Sequence, residues 1–331
     1  HPLGWSQRGD DLSATRRVLA ALARHPNAGG VLILGLGCES NQLAALLEEI
    51  PDRTNLRAFA AQGETDEIET GLAMIAELVS GAETVRRTPC PASDLVIGLK
   101  CGGSDGFSGL TANPLVGHVA DRVAGAGGTP ILTEIPEIFG AEHLLLERAA
   151  DPATFDAAAD LVNGFKRYFI EAGQPVHENP SPGNIAGGIT TLEEKSLGAV
   201  QKAGRSPLTQ ALAYGDRADR PGLALLEAPG NDAVSSTALV AAGATVVLFT
   251  TGRGTLGFPA PTLKIASNSD LAARKPRWID FDAGVVLAGT DTSVAGEALM
   301  DLVLATASGR PTRAELNGER EIALWKRGVT L

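Results

Sequence analysis

The stretch "LVIGLKCGGSDGFSGLTANP" (residues 95–114) decides the fold class of this chain. Its apolar run is typical of a buried strand and passes directly into Lys100, Cys101 and a glycine-rich loop. Three later segments repeat the design, an apolar run followed by Gly, Asn, Arg, Thr or Ser: "GLALLEAPGND" (222–232), "ATVVLFTTGRGT" (244–255) and "TLKIASNS" (262–269). Such strands predict an α/β fold with a parallel sheet, in which ligands lie beyond the carboxyl ends of the strands.

A smaller α/β unit is predicted before this sheet. Helical and strand patterns alternate as far as residue 81, and "RRTPCPASD" (86–94), which contains two prolines, follows as a candidate linker. We therefore predict two domains, a small α/β domain over residues 1–91 and a catalytic domain over residues 92–331.

Composition and charge exclude several classes of function. The chain has 331 residues and a formal net charge of −11, which gives no electrostatic footprint for nucleic acid or an anionic membrane. No apolar run approaches the roughly 20 residues that a membrane helix needs. The three cysteines are an odd number without close pairs, which argues against a disulfide scaffold and predicts a reducing, cytoplasmic location.

Two short motifs suggest other chemistries and fit them poorly. "GLGCES" (35–40) lies between a predicted strand and a predicted helix, like a dinucleotide-binding turn, but Ser40 replaces the third glycine. "GGSDG" (102–106) matches the nucleophile elbow of acyl hydrolases, which need a histidine late in the chain, and no histidine follows His177. Dinucleotide binding and acyl hydrolysis are therefore minor alternatives.

Acidic residues are concentrated in the predicted loops. "TEIPEIFGAEH" (133–143) combines three glutamates with one histidine at the end of a predicted strand. Carboxylates with one imidazole suit Mg²⁺, Mn²⁺ or Fe²⁺ better than zinc. The candidate metal ligands are Glu39, Glu134, Glu137 and Glu142.

Three cationic residues are candidates for binding or proton transfer. Arg253 lies between glycines at a strand end, where a guanidinium can bind a carboxylate through two hydrogen bonds. Lys264 lies inside an apolar strand, so it either occupies a sheet edge or points into the site. Lys100 ends its strand beside the glycine loop, and a desolvated lysine can act as a general base because its pKa is lowered.

Several long motifs occur in order along the chain. They are "HPLGWSQRGDD", "LGLGCESNQ", "GLKCGGSDGFSGLTANP", "TEIPEIFGAEHLL", "ENPSPGNIAGGITTLEEKSLG" and "LFTTGRGT…PTLKIASNS". Together they resemble the altronate and galactarate dehydratase family over essentially the whole chain. The altronate branch is the more similar one, through "HPLG", "QKAGRSP", "APGND" and "WIDFDAG".

This resemblance implies a fold, an activity and partners. Family members dehydrate sugar acids to 2-keto-3-deoxy acids and depend on a divalent metal, typically Fe²⁺. Their fold is a Rossmann-like parallel sheet with flanking helices and an unusual crossover, preceded by a smaller dimerising α/β domain, so a homodimer is expected. A small β-clip module is expected as a missing N-terminal domain, because the chain opens without Met, or as a separate subunit.

The chain departs from the altronate-type pattern at three positions. Trp5, Ala199 and Ala203 stand where those members carry cysteines, whereas Cys38 and Cys101 are kept. A different substrate is therefore an alternative, including sulfolactate, from which a sulfo-lyase of the same family releases sulfite. A non-catalytic sugar-acid-binding subunit is the alternative from another class.

Dehydration of a sugar acid needs a base, an electrophile and an acid. Residue chemistry predicts Lys100 or His143 as the base, and Asp105 or His143 as the acid that protonates the leaving hydroxyl. A Lys100→Met variant is then expected to lose turnover and to keep its fold. The predicted substrate contacts are Cys101, Gly102, Gly103, Ser104, Ser108, Asn231, Arg253, Thr255 and Lys264.

Overall fold

The first part of the chain forms two parallel strands with helices around them. The structure is a computed structural model that describes residues 6–255 and 257–328, so Trp5 lies outside the described residues. The elements are α1 (Gly9–Ala23), β1 (Val31–Gly35), α2 (Leu43–Glu48), β2 (Leu56–Ala60) and α3 (Glu67–Ala82). β1 pairs with β2 in parallel, as expected for strands joined by a helix.

The second part of the chain forms a parallel sheet of seven strands within the described residues. They are β3 (Val96–Cys101), β4 (Thr129–Leu132), β5 (Leu208–Leu212), β6 (Leu223–Leu226), β7 (Val246–Thr251), β8 (Thr262–Ala266) and β9 (Phe281–Asp282). Their order is β5-β6-β4-β3-β7-β8-β9. From β4 the chain runs to β5 at the edge and returns through β6, which lies between them. The predicted α/β fold with a parallel sheet and flanking helices is confirmed.

Helices cover both faces of this sheet. They are α4 (Ala112–Gly125), α5 (His143–Leu146), α6 (Pro152–Glu171), α7 (Pro182–Ala186), α8 (Leu192–Val200), α9 (Asp232–Ala241), α10 (Ser269–Arg274), α11 (Thr292–Ala307) and α12 (Arg313–Leu316). Asn231 caps α9 and Asn268 caps α10, since each side chain accepts a backbone N–H of the first turn. No helix in the described part of the chain is long and apolar enough to cross a bilayer.

Three details differ from the sequence expectations. β5 was not predicted, because its sequence "LTQAL" has only a short alternation of apolar and polar residues. The many turn residues over 178–191 predict a loop, but this stretch contains α7, which Ser181 caps. The segment "RWIDFDAGVVL" predicts a last strand, but only the short strand β9 forms there, and a 3₁₀ turn, Ala283–Val286, follows it.

His25, which follows α1, is one of the residues that attach the first part of the chain to the large sheet. The imidazole is buried, its Nε2 lies 3.1 Å from the carbonyl oxygen of Ala244, and its Nδ1 accepts the backbone N–H of Asn27. These two contacts require the neutral ring with its proton on Nε2. Burial lowers the pKa of His25, and the charge of Arg217 lowers it further.

We expect the free energy of unfolding to decrease as the pH falls below about 6.5, the ordinary pKa of histidine. The unfolded chain then takes up a proton that folded His25 resists, so the contribution present above this pH is lost in acid. Urea unfolding at pH 7.5 and at pH 5.5 measures this decrease in the free energy of unfolding. His25→Gln should reduce the difference in the free energy of unfolding between the two pH values, and His177→Gln, a change at an exposed residue, should leave it unchanged. The prediction is contradicted if the free energy of unfolding changes equally between the two pH values in the wild type and in both variants.

Candidate active site

The candidate site lies where the strand order of the large sheet changes direction. β3 is central, with β4 on one side and β7 on the other, so the connections after these strands diverge at their carboxyl ends. Such a switch point leaves a crevice in which α/β proteins bind ligands. Lys100 near the end of β3, Glu134 after β4 and Arg253 after β7 all lie at this edge.

Lys100 is completely buried, and three oxygen atoms surround its ammonium group. Its Nζ lies 2.8 Å from Glu134 Oε1, 3.0 Å from Asp232 Oδ1 and 2.8 Å from Ser235 Oγ. Burial alone would lower the pKa of Lys100, but the two carboxylates outweigh burial and raise the pKa. Lys100 is therefore charged at neutral pH, which does not fit the base role expected from the sequence.

Cys101 lies beside Lys100 in β3 and points to the other face of the sheet, because successive strand side chains alternate. Its Sγ accepts a hydrogen bond from Lys202 Nζ at 2.8 Å. Lys202 belongs to the 3₁₀ turn Gln201–Ala203 that follows α8, and both side chains are buried. Burial raises the pKa of the Cys101 thiol, so the sulfur keeps its proton at neutral pH.

Glu134 connects the groups on the two faces of β3. Its Oε1 accepts from Lys100, and its Oε2 accepts the backbone N–H of Cys101 at 2.8 Å and lies 3.8 Å from Lys202 Nζ. Glu134 has a φ of 68°, the one positive φ at a non-glycine residue in the described chain. This conformation costs on the order of 1–3 kcal/mol and is typical of functional sites.

A second buried ion pair lies next to the first. Lys195, on α8, is 2.5 Å from Glu137 Oε2 and 3.2 Å from Ser104 Oγ. Asn179 donates to Glu137 Oε1 at 3.2 Å. Burial would lower the pKa of Lys195, but the interactions with Cys101 and Glu137 raise it overall. Burial raises the pKa of Glu137, but the charge of Lys195 lowers it by more, so the pKa decreases overall. Both partners are therefore charged at neutral pH.

A pocket of about 270 Å³ opens between the glycine loop and α8. Cys101, Ser104, Asp105, Ser108 and Lys195 are among the residues that line it. Asp105 is fixed in the wall of this pocket, since its Oδ1 accepts from Ser108 Oγ at 2.8 Å. Its Oδ2 accepts from the Asn268 side chain at 2.9 Å. The pocket therefore combines an ammonium group, a carboxylate and hydroxyls, which suit a polyhydroxy acid.

The glycines after β3 allow the loop to approach its neighbours closely. A Cβ at Gly102 would lie 2.6 Å from both carboxylate oxygens of Asp232 and 2.7 Å from the Phe249 ring. Gly103 has a φ of 61°, which favours glycine. A side chain at Gly102 would displace the carboxylate that binds Lys100, and a side chain at Gly103 would strain the backbone, so both glycines shape the site.

Family comparisons agree with this geometry. A family model described as "D-galactarate/Altronate dehydratase, C-terminal" matches residues 92–330. A second model, "D-galactarate dehydratase/Altronate hydrolase, second domain", matches residues 1–83. The chain belongs to the D-galactarate/altronate dehydratase family. The resemblance read from the sequence motifs is thereby confirmed.

Individual relatives in this family are similar over most or all of the chain. Altronate dehydratase of Escherichia coli (strain K12) is 51% identical over 336 residues, covering 100% of this chain and 68% of the relative. Altronate dehydratase of Bacillus subtilis (strain 168) is 51% identical, covering 100% and 67%. Galactarate dehydratase (L-threo-forming) of E. coli is 36% identical, covering 89% and 59%. The chain is an enzyme of the hydro-lyase class.

The four glutamates expected to bind a metal are not brought together. Glu39 caps the turn after β1, where its carboxylate accepts the backbone N–H groups of Leu36 and Gly37. Glu142 pairs with Lys166. Glu134 and Glu137 both face lysines, and the described residues contain no group of three or more His, Cys, Asp or Glu side chains that could hold a metal ion. The residues present therefore do not fit the predicted metal site.

Several other predicted residues lie outside the pocket. His143 begins α5 and is exposed, so it does not join Asp105 as the expected acid or base. Lys264 is buried, but its Nζ is 2.5 Å from Glu319 Oε2 and does not reach the pocket. Arg253 is exposed at the site's edge. Thr255 donates to Asp232 Oδ2 at 3.3 Å and so contacts the carboxylate beside Lys100.

The sequence reading missed four polar residues that build the site. Lys195 and Lys202 lie in "LEEKSLGAVQKAG", a segment whose pattern predicts a helix and gave no candidate site residue. Asp232 follows Asn231, which caps α9 and does not contact the pocket, and Asn268 holds Asp105. Polar residues directly after an apolar strand were the available signal for Asp232 and Asn268. No local pattern distinguishes the two lysines from solvent-exposed ones.

Proposed function

We propose that the chain dehydrates a sugar acid, with altronate as the first candidate substrate, to a 2-keto-3-deoxy acid. The observation that carries this proposal is the pocket beside β3, where the ammonium group of Lys195, the Asp105 carboxylate and the Ser104 hydroxyl converge. The 51% identity to altronate dehydratases over the full chain supports altronate as the substrate.

Lys195 supplies positive charge for the developing enediolate. Removal of the proton next to the substrate carboxylate places negative charge on the two carboxylate oxygens, and a fixed cation in a buried site stabilises it strongly. The Glu137 carboxylate and the Ser104 hydroxyl hold the Lys195 ammonium group in place. The cation is therefore in position before the substrate binds, and the site needs little reorganisation during the reaction.

Asp105 transfers the protons. The pocket lining contains two carboxylates, Asp105 and Glu194, and of the two Asp105 is buried whereas Glu194 is exposed. Asp105 takes the proton from the carbon next to the carboxylate and returns it to the hydroxyl on the following carbon. That hydroxyl leaves as water, and the resulting enol becomes the 2-keto acid.

Asp105→Asn is expected to lower kcat by about 100-fold or more, because general acid–base catalysis typically contributes that factor. Steady-state kinetics with the substrate identified below measure the change. Glu194→Gln is the matched control, since its carboxylate lines the same pocket and binds Thr190, and it should retain kcat within about tenfold. Equal losses in the two variants would contradict the assignment to Asp105.

The requirement for a divalent metal remains a prediction. Fe²⁺ is the first candidate ion, and Mn²⁺ and Mg²⁺ are the alternatives. No step above passes through a metal, since the predicted ligands are not assembled. Assays before and after chelation, with each ion restored in turn, check the requirement directly. Activity that survives complete chelation would contradict it.

An anaerobic assay with Fe²⁺ and a reductant tests the proposed function. The substrates are altronate, galactarate, other aldonates and sulfolactate, and the products measured are 2-keto-3-deoxy acid, pyruvate and sulfite. We expect a 2-keto-3-deoxy acid from altronate. Sulfite with pyruvate from sulfolactate would instead assign a sulfo-lyase. Binding of a sugar acid without any product would favour a non-catalytic subunit.

We also propose that the chain forms a homodimer through α3 and that a β-clip module serves it, as a preceding domain or a separate subunit. Ile68, Leu72, Ile75 and Val79 form one outward stripe on α3, and each is between 44% and 69% exposed. Multi-angle light scattering should show a dimer, and Leu72→Asp should shift it toward the monomer. A monomeric wild type would contradict the dimer.

A further inference from the structure

We infer that Cys101 and Lys202 form a covalent sulfur–oxygen–nitrogen link in air. Lys202 Nζ lies 2.8 Å from Cys101 Sγ. This distance is shorter than the about 2.9–3.0 Å typical of N–H···O hydrogen bonds, although sulfur is larger than oxygen. One oxygen atom placed between the two groups completes a bridge without moving either element of the fold.

The two groups are held together by the fold. Cys101 ends β3 and is 2% exposed, while Lys202 is 1% exposed in the turn after α8. The nearest carboxylate, Glu134, lies 3.8 Å from Lys202 Nζ, farther away than the sulfur. Two reactive groups fixed in this way react as if at very high concentration, because the entropy of bringing them together is already lost on folding.

A small oxidant can reach the sulfur. Cys101 lines the pocket of about 270 Å³ described above, so dioxygen dissolved in the pocket contacts the thiol directly. Lys202 does not line that pocket and is approached through Cys101. The sulfur is therefore oxidised first, and the adjacent amine captures the product.

The reaction balances with dioxygen as the oxidant. The Cys101 thiol, the neutral Lys202 amine and one O₂ give Cys–S–O–NH–Lys and one water. Sulfur and nitrogen each lose two electrons, and the two oxygen atoms gain four, one ending in the bridge and the other in water. The proton that the Lys202 ammonium group gives up in this reaction passes to solvent. Two dithiothreitol molecules reverse the reaction, and they return both side chains and the second water.

The link would remove the charge of Lys202 and the thiol beside the pocket. We therefore expect the aerated enzyme to lose activity and to regain it with dithiothreitol. This consequence rests on the proposed dehydratase function. The link itself is detected by peptide mass, independently of activity. Absence of the link and absence of dehydratase activity are therefore distinguishable results.

Peptide mass spectrometry tests the link on the full chain. The protein is purified in air without reductant, and it is then denatured, alkylated and digested with trypsin. The expected product joins residues 101–122 to residues 196–205, which stay uncut at the modified Lys202. Its mass exceeds the sum of the two peptides by one oxygen less two hydrogens. It should disappear after dithiothreitol, in protein purified anaerobically, and in Lys202→Arg, which keeps the cation without a lysine amine.

Two outcomes would overturn the inference. The first is complete alkylation of Cys101 in the aerated sample, together with cleavage after Lys202. The second is a link from Cys101 to Lys195, the other buried lysine near the thiol, or an unlinked sulfenic acid at Cys101. Alkylation of Cys38 and Cys90, both exposed, verifies in the same digest that the reagent reacted to completion.

Discussion

Lys100→Met is expected to lower the free energy of unfolding by about 3–5 kcal/mol, and to abolish measurable turnover because Glu134, which accepts the backbone N–H of Cys101 at the pocket, loses its ammonium partner. The variant leaves the buried Glu134 carboxylate without its 2.8 Å ammonium partner, and Asp232 loses a contact as well. Removing one partner of a buried ion pair is costly because the remaining charge is unsolvated. Chemical denaturation and a substrate assay on the same preparation measure both effects. The sequence alone had predicted an intact fold for this variant.

The double variant Lys100→Met/Glu134→Gln is the control for this explanation. It removes the unpaired buried charge, so it should recover part of the lost stability while remaining inactive. A double-mutant cycle then gives the coupling between the two side chains. A Lys100→Met protein within about 1 kcal/mol of the wild type would contradict the buried ion pair, since changes of that size are ordinary for any substitution.

Lys195→Met is expected to lower kcat by about 100- to 1000-fold, the usual cost of removing one group that stabilises transition-state charge. Its ammonium group is the cation that lines the pocket, 3.2 Å from Ser104 Oγ. Lys195→Arg should retain more activity than Lys195→Met, because it keeps the charge. The measurement is kcat and KM with the sugar acid found to be the substrate.

Lys166→Met provides a matched control for Lys195→Met. Lys166 also pairs with a glutamate, Glu142, but this pair is partly exposed and lies outside the residues that line the pocket. Kinetics close to the wild type are expected. A similar loss of kcat in both variants would show that ion pairs stabilise the fold in general, and the assigned role of Lys195 would be rejected.

The local pattern of the sequence predicted much of the fold. Apolar runs followed by glycine or small polar residues identified β3, β6, β7 and β8, and they indicated a parallel sheet with functional residues at its carboxyl ends. β5 was missed because its burial depends on α6 and β6, which pack against it. Whether such a short segment is a strand is decided by its neighbours in space.

The sequence by itself determined the family, the α/β sheet and the placement of Lys100, Cys101 and Asp105 at the end of β3 and in the loop after it. Only the tertiary structure decided which charges meet. Lys195 and Lys202 come from residues about 100 positions after Cys101, and Glu134 meets Lys100 across β3 and β4. Whether a lysine is a base or a fixed cation depends on burial and on its carboxylate partners. Both are properties of packing between distant segments, which local spacing does not encode.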